Sequence, residues 1–123
     1  MSQDVVSDTM NRIMNAKKAS KSYIVTMKYS KLLLKILDVM KQYGYIDYTL
    51  NEGNLRIEMK ELTTCNSIKP RFTVNKNNIE KYIRRFLPAR DFGYVIISTS
   101  KGLMTHIDAK ENKIGGSLIA YFY

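Results

Sequence analysis

Three hydroxyl side chains stand in a row in the stretch Ser98-Thr99-Ser100-Lys101-Gly102. Hydroxyl groups both donate and accept hydrogen bonds, and short side chains lose little conformational entropy when they are fixed. Such a cluster suits recognition of the polar edge of a nucleic-acid base. Nucleophilic catalysis by Ser98 or Ser100 would need an oriented general base, and the one histidine, His106, has no evident carboxylate partner. Taken alone, these five residues favour a plain turn over a binding site.

A run of apolar residues, Tyr94-Val95-Ile96-Ile97, comes directly before this cluster. Consecutive apolar residues with β-branched side chains predict a strand that is buried on both faces. We expect this strand to end where the hydroxyl residues begin. After the cluster, Thr105 and Asp108 resemble a capping box. They predict a short helix through Ala109, and His106 is expected to pack in its first turn.

Two glycines, Gly115 and Gly116, precede a second apolar segment, residues 117–123, which predicts a closing strand. Because glycine has no Cβ atom, another backbone can approach these positions closely. If the closing strand pairs with the strand at 94–97, the glycines and the hydroxyl cluster meet on one edge of the sheet. The two loops would then form a single surface.

The chain is strongly basic. Its 123 residues include 20 Lys and Arg against 11 Asp and Glu, a formal net charge of +9 at pH 7. Residues 1–62 contain 10 basic and 7 acidic residues, whereas residues 63–123 contain 10 basic and 4 acidic ones. The excess therefore lies in the half with the hydroxyl cluster. Such a charge attracts polyanions, so nucleic acid is the leading class of partner and an anionic membrane surface the second. A basic protein without either partner would have the same charge.

The first half of the chain predicts two amphipathic helices. Their apolar stripes are Val6, Met10 and Ile13 in the first helix, and Leu33, Ile36, Leu37 and Met40 in the second. Asp4 can cap the first helix and Ser30 the second, and Gly44 ends the second helix in a left-handed conformation.

Two pairs of residues on these helices can contact phosphate groups. Arg12 and Asn15 lie on the polar side of the first helix, and amide and basic groups can line up against a phosphate backbone. Ser30 and Lys31 stand at the positive end of the second helix, where backbone amides, a hydroxyl and an ammonium converge. Solvation of a polar face and capping by Ser30 are the alternative explanations.

The pattern of elements predicts an α+β fold class with two small lobes. A strand at 23–27 and a hairpin around a turn at 51–54 complete a helix-strand-helix-hairpin lobe over residues 1–62. The small, polar stretch 63–67 predicts a boundary. Residues 63–123 predict a β-rich lobe with short helices. In this lobe, residues 68–74 are expected to be extended.

A short helix is predicted after this extended segment. It starts at Asn77 or Asn78 and ends at Leu87-Pro88, with Ile79, Tyr82, Ile83 and Phe86 inward and Lys81, Arg84 and Arg85 outward. A turn with Arg90, Asp91 and Gly93, in which Arg90 and Asp91 can pair, follows.

Composition limits the remaining possibilities. Hydrophobic residues make up 45% of the chain and charged residues 25%, which is typical of a folded soluble protein. The sequence contains no apolar run of membrane-spanning length and begins without a signal-like segment, so we expect a cytoplasmic protein without a membrane partner. Cys65 cannot form an internal disulfide, and one cysteine with one histidine cannot make a four-ligand zinc site. We expect no cofactor and no small-molecule substrate.

The aromatic residues favour one mode of nucleic-acid binding. Most of the nine tyrosines and four phenylalanines fall on predicted apolar stripes or strands, which favours core packing over base stacking. The sequence lacks the aromatic and basic signature of common single-strand-binding modules. We therefore expect recognition of a structured RNA through backbone shape and hydroxyl contacts.

Several motifs together resemble the small-subunit ribosomal protein S eight family over nearly the whole chain. The hydroxyl cluster followed by Met104-Thr105 is similar to the signature loop of that family. Gly115-Gly116 with the aromatic-ended terminal strand is similar to its closing segment. The stretches 68–72 and 87–93 resemble the archaeal and eukaryotic branch. Ser117 departs from bacterial members, which have a glutamate after the double glycine.

This resemblance implies a structural protein of the small ribosomal subunit that binds the central domain of the ribosomal RNA beside neighbouring small-subunit proteins. The RNA contacts that it implies are Ser98, Thr99, Ser100, Lys101, Gly102, Gly115, Gly116, Arg12, Asn15, Ser30 and Lys31. A free RNA-binding translational regulator is the alternative. A hydrolase that uses Ser98 or Ser100 with His106 is a third candidate, and the lack of an evident orienting group disfavours it.

Overall fold

The computed structural model describes residues 5–68, 73–89 and 92–123. The chain divides into two compact units, Met1–Cys65 and Asn66–Tyr123. Helices and antiparallel sheets occur together, which confirms the α+β fold class. The predictions about Asp4, residues 69–72, Arg90 and Asp91 lie outside the described residues.

The first unit contains two helices and a three-stranded antiparallel sheet. Its elements are α1 (Val5–Lys18), β1 (Tyr23–Thr26), α2 (Lys31–Gln42), β2 (Ile46–Asn51) and β3 (Asn54–Met59). The strand order is β1-β3-β2, so β3 pairs with both neighbours. The predicted helix-strand-helix-hairpin order is therefore confirmed.

Both helices of the first unit bury the predicted apolar stripes. Every residue of these stripes is buried: Val6, Met10, Ile13, Leu33, Ile36, Leu37 and Met40. The Ser30 hydroxyl accepts a hydrogen bond of 3.1 Å from the Leu33 N–H, which is the geometry of a helix N-cap. Gly44 adopts a left-handed φ of 80° just after α2.

The hairpin of the first unit has a tight two-residue turn. Glu52 and Gly53 both have positive φ values, 51° and 81°, which suit the right-handed twist of the flanking strands. One apolar side chain of the hairpin is largely exposed. Leu50 is 45% exposed, although its cross-strand partner Leu55 is fully buried. Leu50 lies near the end of an outer strand, whereas Leu55 lies on the central strand.

The second sheet has five strands. The remaining elements are β4 (Cys65–Ser67), β5 (Thr73–Val74), α3 (Ile79–Phe86), β6 (Tyr94–Thr99), β7 (Gly102–Thr105), α4 (His106–Glu111) and β8 (Gly116–Phe122). The strand order is β4-β8-β6-β7, and β5 also pairs with β8. The closing strand β8 thus pairs with β6, which is the arrangement expected if the two loops share a surface.

The structure corrects one expectation for this sheet and adds two strands that the sequence does not predict. Strand β6 continues through Ser98 to Thr99 instead of ending at Ile97, because these residues pair with both β7 and β8. Strand β7 was not predicted, since it is short and is stabilised by its hairpin partner. The polar stretch 63–67 contains the short strand β4. Pairing rather than local sequence explains all three differences.

The core of the second unit lies between α3, α4 and one face of the sheet. It includes Ile79, Ile83, Val95, Ile97, Ala109 and Leu118. Thr105 caps α4, since its hydroxyl accepts a hydrogen bond of 3.4 Å from the Asp108 N–H. Among the described residues, no helix combines the length and apolarity needed to cross a membrane.

Candidate nucleic-acid interface

The predicted hydroxyl cluster forms the end of a β-hairpin. Ser100 and Lys101 are the two turn residues between β6 and β7, and Thr99 pairs with Gly102 across the turn. Gly102 has a φ of 109°, a conformation that residues with a side chain rarely adopt. The hydroxyl cluster is therefore part of a turn, and the two interpretations of residues 98–102 describe the same structural feature.

Thr99 stabilises this turn with its side chain. Its hydroxyl accepts a hydrogen bond of 3.1 Å from the Lys101 N–H and donates one of 2.8 Å to the Gly102 carbonyl. The one hydroxyl proton is thus used inside the turn, and the remaining lone pair can only accept. Thr99 therefore stabilises the loop and has no hydroxyl proton left to donate to a ligand.

Ser98 and Ser100 are the exposed hydroxyl groups of the cluster. Within the described part of the chain, neither side chain makes a hydrogen bond to another residue. Both hydroxyls can therefore donate and accept hydrogen bonds with a ligand.

The register of the strands places two further hydroxyl side chains beside Ser98. Ser98 lies opposite Ser117 of β8, and Ser117 lies opposite Thr73 of β5. Directly paired residues share a face of the sheet. Three adjacent strands therefore carry a row of hydroxyl groups, which we call the hydroxyl row: Thr73, Ser117 and Ser98. The neighbouring residues Val74, Leu118 and Ile97 are buried in the core, so the hydroxyl row is on the opposite face.

The two glycines allow the strands beneath this surface to approach closely. A Cβ atom on Gly116 would lie 2.1 Å from the Ser98 carbonyl oxygen, and one on Gly115 would lie 2.1 Å from the Val74 carbonyl oxygen. Real Cβ atoms essentially never approach so closely. The glycines and Ser98 thus meet at one end of the sheet, as expected from the sequence.

Two lysines add positive charge to the loops at this end. Lys101 belongs to the hairpin turn, and Lys113 lies two residues before Gly115. Both are exposed, and neither pairs with a carboxylate among residues 5–68, 73–89 and 92–123. Unpaired ammonium groups beside free hydroxyls suit binding to a phosphate backbone and its bases.

His106 has a structural role in the second unit. It is the first residue of α4 and is buried, and its Nδ1 accepts a hydrogen bond of 3.2 Å from the Val95 N–H. The predicted packing position in the first turn of the helix is confirmed. Because Nδ1 holds this bond to the backbone, it is not available as a general base for Ser98 or Ser100.

In the first unit, Arg12 belongs to α1 and its side chain reaches β1. Its Nη2 donates a hydrogen bond of 2.8 Å to the Val25 carbonyl. Arg12 and Asn15 both line a groove of about 280 Å³ between α1 and β1, and Arg12 also lines a second groove of about 610 Å³. Arg12 is therefore a structural residue whose remaining N–H groups face a groove.

Ser30 and Lys31 lie at the start of α2, and neither lines either groove. The Ser30 oxygen accepts the capping hydrogen bond, and its own hydroxyl proton can still be donated. Lys31 is exposed and has no ion-pair partner among the described residues. The arrangement is compatible with both capping and phosphate binding.

Exposed hydroxyls, unpaired lysines and a net charge of +9 on an α+β scaffold are features expected of a small basic nucleic-acid-binding protein. A model of the ribosomal protein S8 family matches residues 4–123. The small ribosomal subunit protein uS8 of Nanoarchaeum equitans is 42% identical over 129 aligned positions, and that of Picrophilus torridus is 41% identical, each over the full length of both chains. The uS8A protein of Schizosaccharomyces pombe is 33% identical over 98% of each chain.

The chain belongs to the ribosomal protein S8 family. The membership predicted from the hydroxyl loop and the double glycine is therefore confirmed. The matches include archaeal and eukaryotic proteins, in agreement with the branch that the sequence motifs resemble.

Proposed function

We propose that this chain is a structural constituent of the small ribosomal subunit, found in the cytoplasm with the ribosome. It binds the central domain of the small-subunit ribosomal RNA and supports subunit assembly, and it has no catalytic role. The full-length match to proteins named small ribosomal subunit protein uS8 supports the ribosomal assignment.

The observation that carries the RNA-binding proposal is a surface at the end of the second sheet. It consists of Ser100 and the hydroxyl row, and we call it the hydroxyl surface. Ser98 and Ser100 have free, exposed hydroxyls, and Ser117 and Thr73 extend the same kind of group across two more strands. A rigid sheet fixes the spacing of these groups, so little entropy is lost on binding. Such a surface can read the shape and the base edges of an irregular RNA helix.

Each predicted residue has a different task in this proposal. Ser98 and Ser100 contact bases and sugars, whereas Thr99 and Gly102 hold the hairpin turn in shape. Gly115 and Gly116 allow the close approach of β5, β8 and β6 that brings the surface together. Lys101 contributes phosphate contacts and hence salt-dependent affinity.

The first unit supplies additional backbone contacts in this proposal. Asn15 and the free N–H groups of Arg12 face a groove beside α1, and Ser30 and Lys31 stand at the N-terminus of α2. Amide, guanidinium and ammonium groups hydrogen-bond to phosphate oxygens without reading sequence. Binding by the first unit should therefore orient the RNA rather than select it.

Sedimentation of the tagged chain from cells tests the ribosomal assignment. The chain should travel with small subunits through a sucrose gradient, and the Ser98→Ala/Ser100→Ala double variant should be depleted from that peak. Ile107→Ser is a matched control, because Ile107 is exposed on α4 and lies outside the hydroxyl surface. If the wild-type chain stays at the top of the gradient and still binds a messenger RNA, it is a free regulator instead.

A further inference from the structure

The second unit has a chain of contacting aromatic rings on the face of the sheet opposite the hydroxyl row. Phe86 of α3 lies 5.4 Å from Tyr121, Tyr121 lies 6.3 Å from Tyr123, and Tyr123 lies 5.7 Å from Phe92, all measured between ring centroids. These four residues, Phe86, Tyr121, Tyr123 and Phe92, form what we call the aromatic strip. Phe92 is 49% exposed, and the other three are partly buried.

The aromatic strip and the hydroxyl row lie at different places on the sheet. Tyr121 pairs with Val95 near the start of β6, whereas Ser117 pairs with Ser98 near its end. Three residues of a strand span about 10 Å. Tyr121 packs with Val95 against the core, so its ring is on the face that carries α3. RNA bound at the hydroxyl row would leave the aromatic strip free.

Positive charge lies on α3, the helix that contributes Phe86 to the aromatic strip, and Arg84 of this helix lines a groove with Ala89, the bridge partner of Phe92. The outer side of α3 carries Lys81, Arg84 and Arg85, which we call the basic face, and all three are exposed. Within the described residues none of them pairs with a carboxylate, and the acidic residue of this helix, Glu80, pairs with Lys110. The Arg85 guanidinium lies 5.1 Å from the Tyr82 ring centroid, so it stands over aromatic surface.

The ring geometry disfavours base stacking at this place. A base needs the free face of an aromatic ring. Tyr121 and Tyr123 are stacked on each other with 16° between their planes, and each contacts a further ring. These ring contacts reduce the aromatic area open to a base, and Phe92, which is 49% exposed, is the most exposed ring of the strip. Aromatic residues and arginine around an apolar centre are typical of the energetically important part of protein–protein interfaces.

We infer that the aromatic strip and the basic face together form a docking surface for a protein segment in which apolar side chains alternate with acidic ones. The apolar side chains pack against Phe92 and the exposed parts of the Tyr121 and Tyr123 rings. The carboxylates pair with Arg84 and Arg85, which have no carboxylate partner among the described residues. This surface is separate from the RNA-binding surface proposed above and does not depend on it.

Nuclear magnetic resonance titrations of the isolated full-length chain test this inference. The probes are a short synthetic peptide that alternates glutamate with leucine and phenylalanine, the same peptide with lysine in place of glutamate, and a fragment of the RNA central domain. We expect the acidic peptide to shift resonances of the aromatic strip and to bind at least about tenfold more tightly than the lysine peptide. The RNA fragment should shift the hydroxyl loop and leave the strip unchanged.

Variants of the chain test in the same titration which residues bind the acidic peptide. Phe92→Ser and the Arg84→Glu/Arg85→Glu double variant should each weaken binding of the acidic peptide at least about tenfold. Ile107→Ser is the matched control, because Ile107 is 43% exposed on α4 and should leave binding unchanged. Equal binding of both peptides, or shifts of the strip caused by the RNA fragment, would overturn the inference. Absence of RNA binding anywhere would overturn the proposed function and leave the docking surface standing.

Discussion

Gly116 lies so close to Ser98 that a Cβ atom at position 116 would be 2.1 Å from the Ser98 carbonyl oxygen. The same Cβ atom would be 3.0 Å from the Ile97 Cγ2 atom. Because the obstacle is backbone in a paired strand, it cannot rotate away as a flexible side chain could. The pairing of β8 with β6, and thus the hydroxyl surface, depends on the missing side chain at position 116.

Gly116→Ala should destabilise the second unit. We expect the free energy of unfolding to fall by about 1 to 3 kcal/mol, because overpacking forces the two strands apart. Urea denaturation measures the change. Ser117→Ala is the control at the next position, and removal of its partly exposed hydroxyl should change stability by less than about 0.5 kcal/mol. Equal stability of Gly116→Ala and the wild type would contradict the close approach.

Thr99→Val should separate the role of Thr99 from that of Ser98. Valine has nearly the shape of threonine and cannot make the two hydrogen bonds inside the hairpin turn. We expect a loss of about 1 kcal/mol of stability and faster hydrogen exchange of the Lys101 amide. Ser98→Ala should leave both quantities unchanged. If Thr99→Val and Ser98→Ala have the same effect on exchange, Thr99 does not hold the turn.

Arg12→Ala should affect stability as well as RNA binding. It removes the hydrogen bond from the guanidinium to the Val25 carbonyl, which should cost about 1 kcal/mol in thermal or urea unfolding. Asn15→Ala, in the same groove, should leave stability unchanged and weaken RNA binding only. A fully stable Arg12→Ala variant would show that the contact to Val25 contributes nothing.

Cys65 should make stability depend on alkaline pH. Burial raises the pKa of the Cys65 thiol from 9.0 to about 12. Above pH 9 the unfolded chain releases this proton and the folded chain retains it, so the contribution of the neutral thiol to stability is present below pH 9 and is lost as pH rises towards 12. Cys65→Ala should cost about 1 kcal/mol at pH 8. Its deficit relative to the wild type should shrink above pH 9 in urea titrations, and a constant deficit would contradict the raised pKa.

Much of the first unit could be predicted from the sequence because its signals are local. Helix α2 shows this best, since Ser30 caps it, Gly44 ends it and the apolar stripe lies entirely within the helix. Helical spacing depends only on residues a few positions apart. The tight turn at Glu52 and Gly53 is equally local.

The hydroxyl row could not be predicted in the same way. Thr73 and Ser117 join Ser98 only through the register of β5, β8 and β6, and an irregularity between Ile96 and Ile97 shifts that register. No local pattern specifies such a shift. The internal use of the Thr99 hydroxyl likewise depends on the two-residue turn that pairing with β7 creates.

Titration of the RNA central domain against the Ser98→Ala/Ser100→Ala double variant tests the central claim most directly, with Lys101→Ala as the comparison. The double variant should lose about 1 to 3 kcal/mol of affinity for the cognate fragment, mainly as lost discrimination against an unrelated structured RNA. Lys101→Ala should lower the affinity for both RNAs by the same factor and reduce the salt dependence of binding. Wild-type affinity and discrimination in the double variant would contradict the assignment of RNA recognition to the hydroxyl surface.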